Sequence, residues 1–347
     1  MPAATSDHPT DRLHTRLTQA FALRTPIALA PMALASGGAL AAACAHAGAL
    51  GLVGGGYGEL EWTQREYTRA LTLTAADPAA RRRIGCGFIT WKLLQDASAL
   101  DWILDRPAGE RPAAVMLSFG DASRHARRVV EAGLPLLLQV QRVEELARAV
   151  DLGARVVIVQ GGEAGGHGMQ SMLARGTFTL VPEAADWLAA HSPQTLLLAA
   201  GGVADGRTLA AARVLGADGA LVGSRLWATQ ESLAAQGAKA LAAHTGGDGT
   251  ARSAVFDILR RKDWPAPYDF RAIRNALHRR WEGHIDALRA DPAAARADYD
   301  AGVAAGDFTR AHATVGEATG LIHDVPDAAS VIARMHAQAV AALGAAA

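Results

Sequence analysis

The chain has 347 residues, enough to bury a sizeable core, and with half of them hydrophobic and a fifth charged it is excluded from the disordered class. Lys plus Arg and Asp plus Glu both total 34, so no net field favours nucleic acid or an anionic membrane as a partner.

Residues Met1 to Gln19 mix Asp7, Arg12 and Arg16 with Ser, Thr and Pro and offer no apolar core for an export signal. No later run reaches membrane-spanning length. The two cysteines, Cys44 and Cys86, are far apart and match no metal-ligand spacing, which predicts a reduced, cytoplasmic protein with no metal site. From Thr25 onward one theme repeats: a short apolar run, a Gly- or Pro-marked turn, then an Ala/Leu/Arg stretch of helical spacing. The runs are Ile27 to Met32, Gly51 to Gly55, Ile84 to Thr90, Ala113 to Phe119, Leu134 to Val140, Ala154 to Gln160, Thr195 to Ala200 and Gly219 to Gly223. Eight continuous runs read as parallel strands buried on both faces, which predicts a (β/α)8 barrel. An open doubly wound sheet is the rival, but its glycine fingerprint belongs after the first strand, whereas these glycine-rich turns follow runs two, six, seven and eight.

Helical patterns at Ala126 to Ala132, Val143 to Leu152 and Thr208 to Leu215 fill the gaps, and Gly133, Gly153 and Gly216 suit their C-caps. After Trp227 the pattern changes. Thr245 to Thr250 reads as a flexible joint, and Arg271 to Arg289 and Ala328 to Leu343 have helical periodicity. The expected division is a barrel over 1–244 and a helical C-terminal appendage over 245–347, packed on the barrel.

Chemistry concentrates at the ends of the later strands, where barrels of this kind carry their sites. The sixth run ends in Gln160-Gly161-Gly162-Glu163-Ala164-Gly165-Gly166-His167-Gly168, a stretch too rich in glycine to continue a strand or helix, with one titratable ring in it. The seventh ends in Ala200-Gly201-Gly202-Val203-Ala204-Asp205-Gly206 and the eighth in Val222-Gly223-Ser224-Arg225. Exposed N–H groups at Gly202 and Gly223, the Ser224 hydroxyl and the Arg225 cation suit an anionic phosphate; the alternative is that these glycines only allow tight turns. A phosphate at one edge implies a cofactor head across the mouth. There Pro31 offers a rigid, donor-free backbone, and Gln139 and Gln160 either hydrogen-bond a ring or stand as solvated loop residues.

These stretches, with Ala30-Pro31-Met32, Thr177 to Glu183, Thr229-Gln230-Glu231-Ser232 and Gly316 to Ile322, resemble the nitronate monooxygenase (2-nitropropane dioxygenase-like) family of flavin barrels over most of the chain. The resemblance implies non-covalent FMN, held by backbone at Ala30, Pro31 and Met32, by Gln160 and Gly165, and at its phosphate by Gly201, Gly202, Gly223 and Ser224, with Gln139 from the residue reading beside them. It implies oxidation of alkyl nitronates by O2, with His167 removing the α-proton of neutral nitroalkanes or orienting the anionic nitronate; the other reading of His167 is a structural histidine tying the loop down. Strand three ends Gly85 to Thr90 without the Asn of some relatives, a departure at the FMN contacts. Enoyl-thioester reductases share a similar Glu-Ala-Gly-Gly-His loop, and some relatives are NADH:quinone reductases, so an NAD(P)H-dependent flavin reductase is the alternative. A non-redox barrel for a phosphorylated ligand is the third reading.

Overall fold

Each of the eight apolar runs forms a strand of one parallel sheet in the computed structural model, which describes residues 13–345; the export reading of Met1 to Gln19 falls largely outside them. The strands are β1 (Ile27–Leu29), β2 (Gly51–Gly56), β3 (Ile84–Ile89), β4 (Val115–Ser118), β5 (Leu136–Val140), β6 (Val156–Gln160), β8 (Leu196–Ala200) and β9 (Gly219–Val222). Their order is β1-β9-β8-β6-β5-β4-β3-β2. The ring closes where Leu29 N donates to Leu50 O at 2.8 Å and Leu50 N to Ile27 O at 3.0 Å.

The continuity of the runs follows from where their side chains go. Leu52, Met116, Leu137, Ile158 and Leu198 fill the barrel interior. Their neighbours Val53, Leu117, Leu138, Val159 and Leu197 pack outward against the helices. Both faces of the strands are dry up to their C-terminal ends, so polar residues enter only there, as Ser118, Gln139 and Gln160.

The helices end where the glycines predict. Gly133, Gly153 and Gly216 have φ of +69°, +83° and +99°. Each closes a Schellman motif: at the first, Gly133 N donates to Val130 O at 2.9 Å and Leu134 N to Val129 O at 3.2 Å.

The C-terminal third departs from a purely helical appendage. The glycine-rich motif, expected as a loop, contributes a strand, β7 (Gly166–Met169). It is the outer member of an antiparallel sheet, ordered β10-β11-β7, with β10 (Thr250–Ser253) and β11 (Tyr268–Ile273). Glycine does not forbid extended backbone when a partner supplies the ladder, and β11 supplies it with Phe270 opposite His167. The stretch expected as a joint is built into the fold: Gly247–Gly249 is a 3-10 turn against Glu317, and Thr250 opens β10. Val255, Phe256, Leu259, Phe270, Leu277 and Leu288 form a small core under this sheet.

The last helix, Ala328–Ala345, returns to the barrel. Val331, Ile332, Met335 and Ala339 join the main core, and Gly206 N donates to Gln338 Oε1 at 3.0 Å. Whereas the sequence reading groups these residues with the appendage 245–347, they complete the outer ring of helices, and residues 228–327 form an excursion between the last strand and its helix. No helix among the described residues is long and apolar enough to cross a membrane.

Candidate active site

The C-terminal ends of the strands meet under that excursion. Beyond β1, Ala30 to Met32 lie against neighbouring strands at glycines: a Cβ at Gly54 would stand 2.3 Å from Met32 O, and one at Gly87 2.4 Å from Pro31 Cγ. Only a bare α-carbon permits that approach. Across β9, Gly223 faces Ala30 and Met32, 3.7 Å from Ala30 Cβ to the Cβ position of Gly223. Gly201 and Gly202 follow β8 with φ of +91° and +78°, conformations that turn the backbone over the mouth and that side chains resist. Ala30, Pro31, Met32 and Gly223 thus share one edge, with Gly201 and Gly202 at the end of the next strand.

Three of the sequence-predicted positions prove to be engaged by the excursion. Ser224 Oγ accepts a hydrogen bond from Gly316 N at 2.8 Å, which leaves its own O–H free to donate. Gly165 lies flat on Val315 and Gly316, with its Cβ position 2.5 Å from Gly316 N. Arg225, expected as a cation for phosphate, is instead buried and committed: it donates to Asp324 Oδ1 at 2.9 Å, Asp324 O at 3.0 Å and Ala228 O at 2.9 Å.

Gln139 and Gln160, at the ends of β5 and β6, do point together. Gln139 Nε2 donates to Gln160 Oε1 at 3.2 Å, Gln141 Nε2 donates to the same oxygen, and Gln160 Nε2 donates to His167 O at 3.2 Å. A cleft of about 380 Å³ opens beside them, lined among others by Thr90, Phe119, Gln139, Gln141 and Tyr268. Thr90 Oγ1 and Gln141 Oε1 are buried there with no partner among the described residues, unmet polar atoms that suit a heteroaromatic ligand. The glycine-lined edge and these atoms fit a flavin.

His167 sits on β7 at the far side of the mouth. It is 9% exposed and stacks on Trp264 with ring centroids 3.4 Å apart and an interplanar angle of 11°. Its Nε2 lies 2.9 Å and 3.1 Å from the two oxygens of Asp257. Phe119, with a left-handed φ of +66°, sets its ring edge-on to Trp264 at 5.0 Å and to Tyr268 at 5.3 Å. Such strain in a bulky residue persists only where packing imposes it. Tyr57, Trp91, Phe119 and Tyr268 enclose Trp264 edge-on, so the histidine is walled by rings. Burial, then the nearby Arg260 and Arg252 cations, hold His167 well below the ordinary histidine range, so the ring is neutral. Burial also pushes the Asp257 carboxyl up to about 7, against the pull of Arg260 and Lys262.

The motif loop is held from two sides. Glu163 accepts from Thr177 N at 2.8 Å and from Thr177 Oγ1 at 3.0 Å, tying the loop to the helix Thr177–His191. From β10, Arg252 donates to Gly166 O at 3.1 Å, Asp269 O at 2.7 Å and Ala164 O at 2.6 Å. Sequence reasoning finds His167 and the glutamines because strand ends converge on a barrel mouth. It misses Asp257, Trp264 and Arg252, whose place depends on pairing between β7 and β11; the alternation Tyr268, Phe270, Ala272 is the one local signal of that strand.

A closed (β/α)8 barrel with a glycine-lined mouth, unmet polar atoms and a buried neutral imidazole defines a ligand-binding enzyme of the barrel class. Residues 92–338 match the nitronate monooxygenase family. The nitronate monooxygenase npaC of Metarhizium robertsii is 32% identical, with 92% of each chain covered. The nitronate monooxygenase of Neurospora crassa is 30% identical, covering 89% of this chain and 88% of that one. Among solved structures, FabK from Thermotoga maritima superposes with a TM-score of 0.78 at 23% identity, covering 96% of this chain and 98% of that chain. A nitroalkane oxidase from Streptomyces ansochromogenes gives 0.76 at 24% identity, covering 95% and 100%. These two likenesses speak for the fold. The chain belongs to the nitronate monooxygenase family, and is an oxidoreductase of the flavin-dependent type.

Proposed function

We propose that the chain binds FMN non-covalently across the barrel mouth and oxidises alkyl nitronates with O2, accepting neutral nitroalkanes where His167 removes their α-proton. The observation that carries this reading is the buried imidazole of His167, held by Asp257 at a mouth whose opposite edge is bare backbone. In this reading the ring of the cofactor lies on Ala30, Pro31 and Met32 and meets Gln139 and Gln160, with Gly165 beneath the loop. The phosphate takes the N–H groups of Gly201, Gly202 and Gly223 and the free O–H of Ser224. Bound flavin supplies a two-electron acceptor. The protein's part is to position the substrate, exclude water with its wall of rings, and move one proton. For a neutral nitroalkane the α C–H bond breaks, the proton goes to the imidazole, and the electron pair stays on the substrate as the nitronate. A preformed nitronate needs only orientation.

Two measurements test this. Anaerobic addition of an alkyl nitronate should bleach the flavin of the purified protein, and air should restore it; bleaching by NADH or an enoyl thioester alone would move the chain to the reductases. His167→Asn should retain flavin yet lose roughly 10²–10⁴-fold on a neutral nitroalkane, the usual contribution of a positioned base, while losing far less on the matching nitronate. Equal losses on both would replace proton abstraction by a binding role.

A further inference from the structure

The structure assigns to Asp257 the task of fixing the tautomer of His167: its carboxylate accepts Nε2–H, so that Nδ1 is the atom that takes the substrate's proton. Asp257 is thus a positioning residue, and the assignment rests on the reading of His167 as the base. It comes from the geometry. Nε2 lies 2.9 Å and 3.1 Å from Oδ1 and Oδ2, nearly symmetric, as when one N–H points between two carboxylate oxygens. Both side chains are buried, at 8% and 7% exposure, so neither partner has water as a substitute. The ring cannot swing to exchange its nitrogens, because Trp264 is stacked on one face and Phe270 lies 4.8 Å away. Nδ1 makes no hydrogen bond to any described residue, and it is not among the side-chain atoms sealed from solvent. A nitrogen with a lone pair and no hydrogen-bond partner is what an incoming C–H requires.

The arrangement also explains why the acid comes from the excursion rather than the barrel. Asp257 lies in the short helix Val255–Leu259, directly after β10, whose neighbour β11 pairs Phe270 with His167; the sheet carries acid and imidazole together. The charged and titratable groups around the pair are Arg260, with Nη1 3.7 Å from Asp257 Oδ1, Lys262, Arg252 from β10, Asp269 from β11 and Tyr57 beyond β2. With the carboxylate ionised and the imidazole neutral, Nδ1 is bare. One added proton removes the lone pair whichever partner holds it, since a protonated Asp257 would donate to Nε2 and leave the hydrogen on Nδ1.

The test has a spectroscopic and a kinetic arm. In full-length protein labelled with 15N-histidine, the His167 signals, identified by their loss in His167→Asn, should show Nε2 protonated and Nδ1 bare above neutral pH. The opposite tautomer overturns the assignment whether or not nitronates prove to be the substrate, because this readout needs no turnover. In Asp257→Asn, an isosteric change, turnover of a neutral nitroalkane should fall roughly 10- to 100-fold, as when a carboxylate that orients a histidine is lost. The acid limb of its pH profile should move to lower pH, because the imidazole loses the anion that stabilises its protonated form. Turnover of the preformed nitronate should stay within about threefold, given that no proton need be removed. A uniform loss on both substrates with an unmoved limb would reduce Asp257 to a packing role. Failure of the parent to turn over any nitronate, with the predicted tautomer observed, would instead fault the functional reading and leave the orientation of His167 standing.

Discussion

Arg252 carries more of the site's integrity than any surface charge. The residue is 9% exposed, its guanidinium is the donor for the carbonyls of Ala164, Gly166 and Asp269, and burial lowers its pKa to about 9 without a carboxylate in contact. Replacing it by Met keeps the volume but strands those acceptors away from water. Each buried orphan costs about 1–3 kcal/mol, so Arg252→Met should lower stability by about 3 kcal/mol or more in urea unfolding. The exposed pair Arg127–Glu131, by contrast, should yield at most about 0.5 kcal/mol to Arg127→Ala. Equal effects of the two would show that the clamp is not what orders the motif. At this scale the sequence reveals His167, Gln139 and Gln160, since each stands at or just beyond the end of an apolar run and a barrel gathers such ends. It does not reveal Asp257, which lies 90 residues from His167 and meets it only through a strand register.

Among the elements, the glycine C-caps give the most direct route from sequence to structure. Gly133 has φ of +69° and nothing within 4 Å of its Cβ position, so a side chain there meets backbone strain alone. Gly133→Ala should cost roughly 1–2 kcal/mol, and Gly133→Asn less, since Asn tolerates the left-handed region. The comparison is a pair of thermal melts, and an Ala variant as stable as the parent would contradict the cap. All eight barrel strands were legible for a related reason: a strand buried on both faces needs no partner's identity to be recognised. The antiparallel sheet was not. β7 is Gly-His-Gly-Met, too poor in β-formers to declare itself, and the helical spacing after Arg271 masks the end of β11. The helix Ala328–Ala345 was correctly expected as a helix, but its return to the barrel follows from the close approach at Gly206, where an added Cβ would stand 2.2 Å from Gln338 Cβ.

At the scale of the whole molecule, the excursion 228–327 is held to the mouth by polar contacts and by a core that includes unprotonated histidines, which makes its attachment sensitive to acid. His312 is the clearest of them. Its Nδ1 shares a hydrogen bond with the Tyr299 hydroxyl at 2.6 Å, it lies among Phe256, Phe270 and Tyr299, and burial with the nearby Arg260 lowers its pKa to about 3. An unfolded histidine titrates near 6.5. As pH falls from 7, the unfolded chain therefore takes up a proton that the folded chain refuses, and stability present above about 6.5 is lost progressively down to about 3. At pH 5 this one group accounts for about 2 kcal/mol. His167 and His278, also lowered mainly by burial, act in the same direction, whereas Asp257, raised to about 7, loses its contribution as pH rises and so opposes them between about 4 and 7. The net slope of the parent thus mixes signs, and the informative quantity is a difference. His312→Gln, which keeps an acceptor for Tyr299 but cannot take the proton, should melt below the parent at pH 7.5 and lose less on going to pH 5, by about 2 kcal/mol. Parallel melting curves for the two proteins across that range would show that His312 does not set the acid limit of the fold.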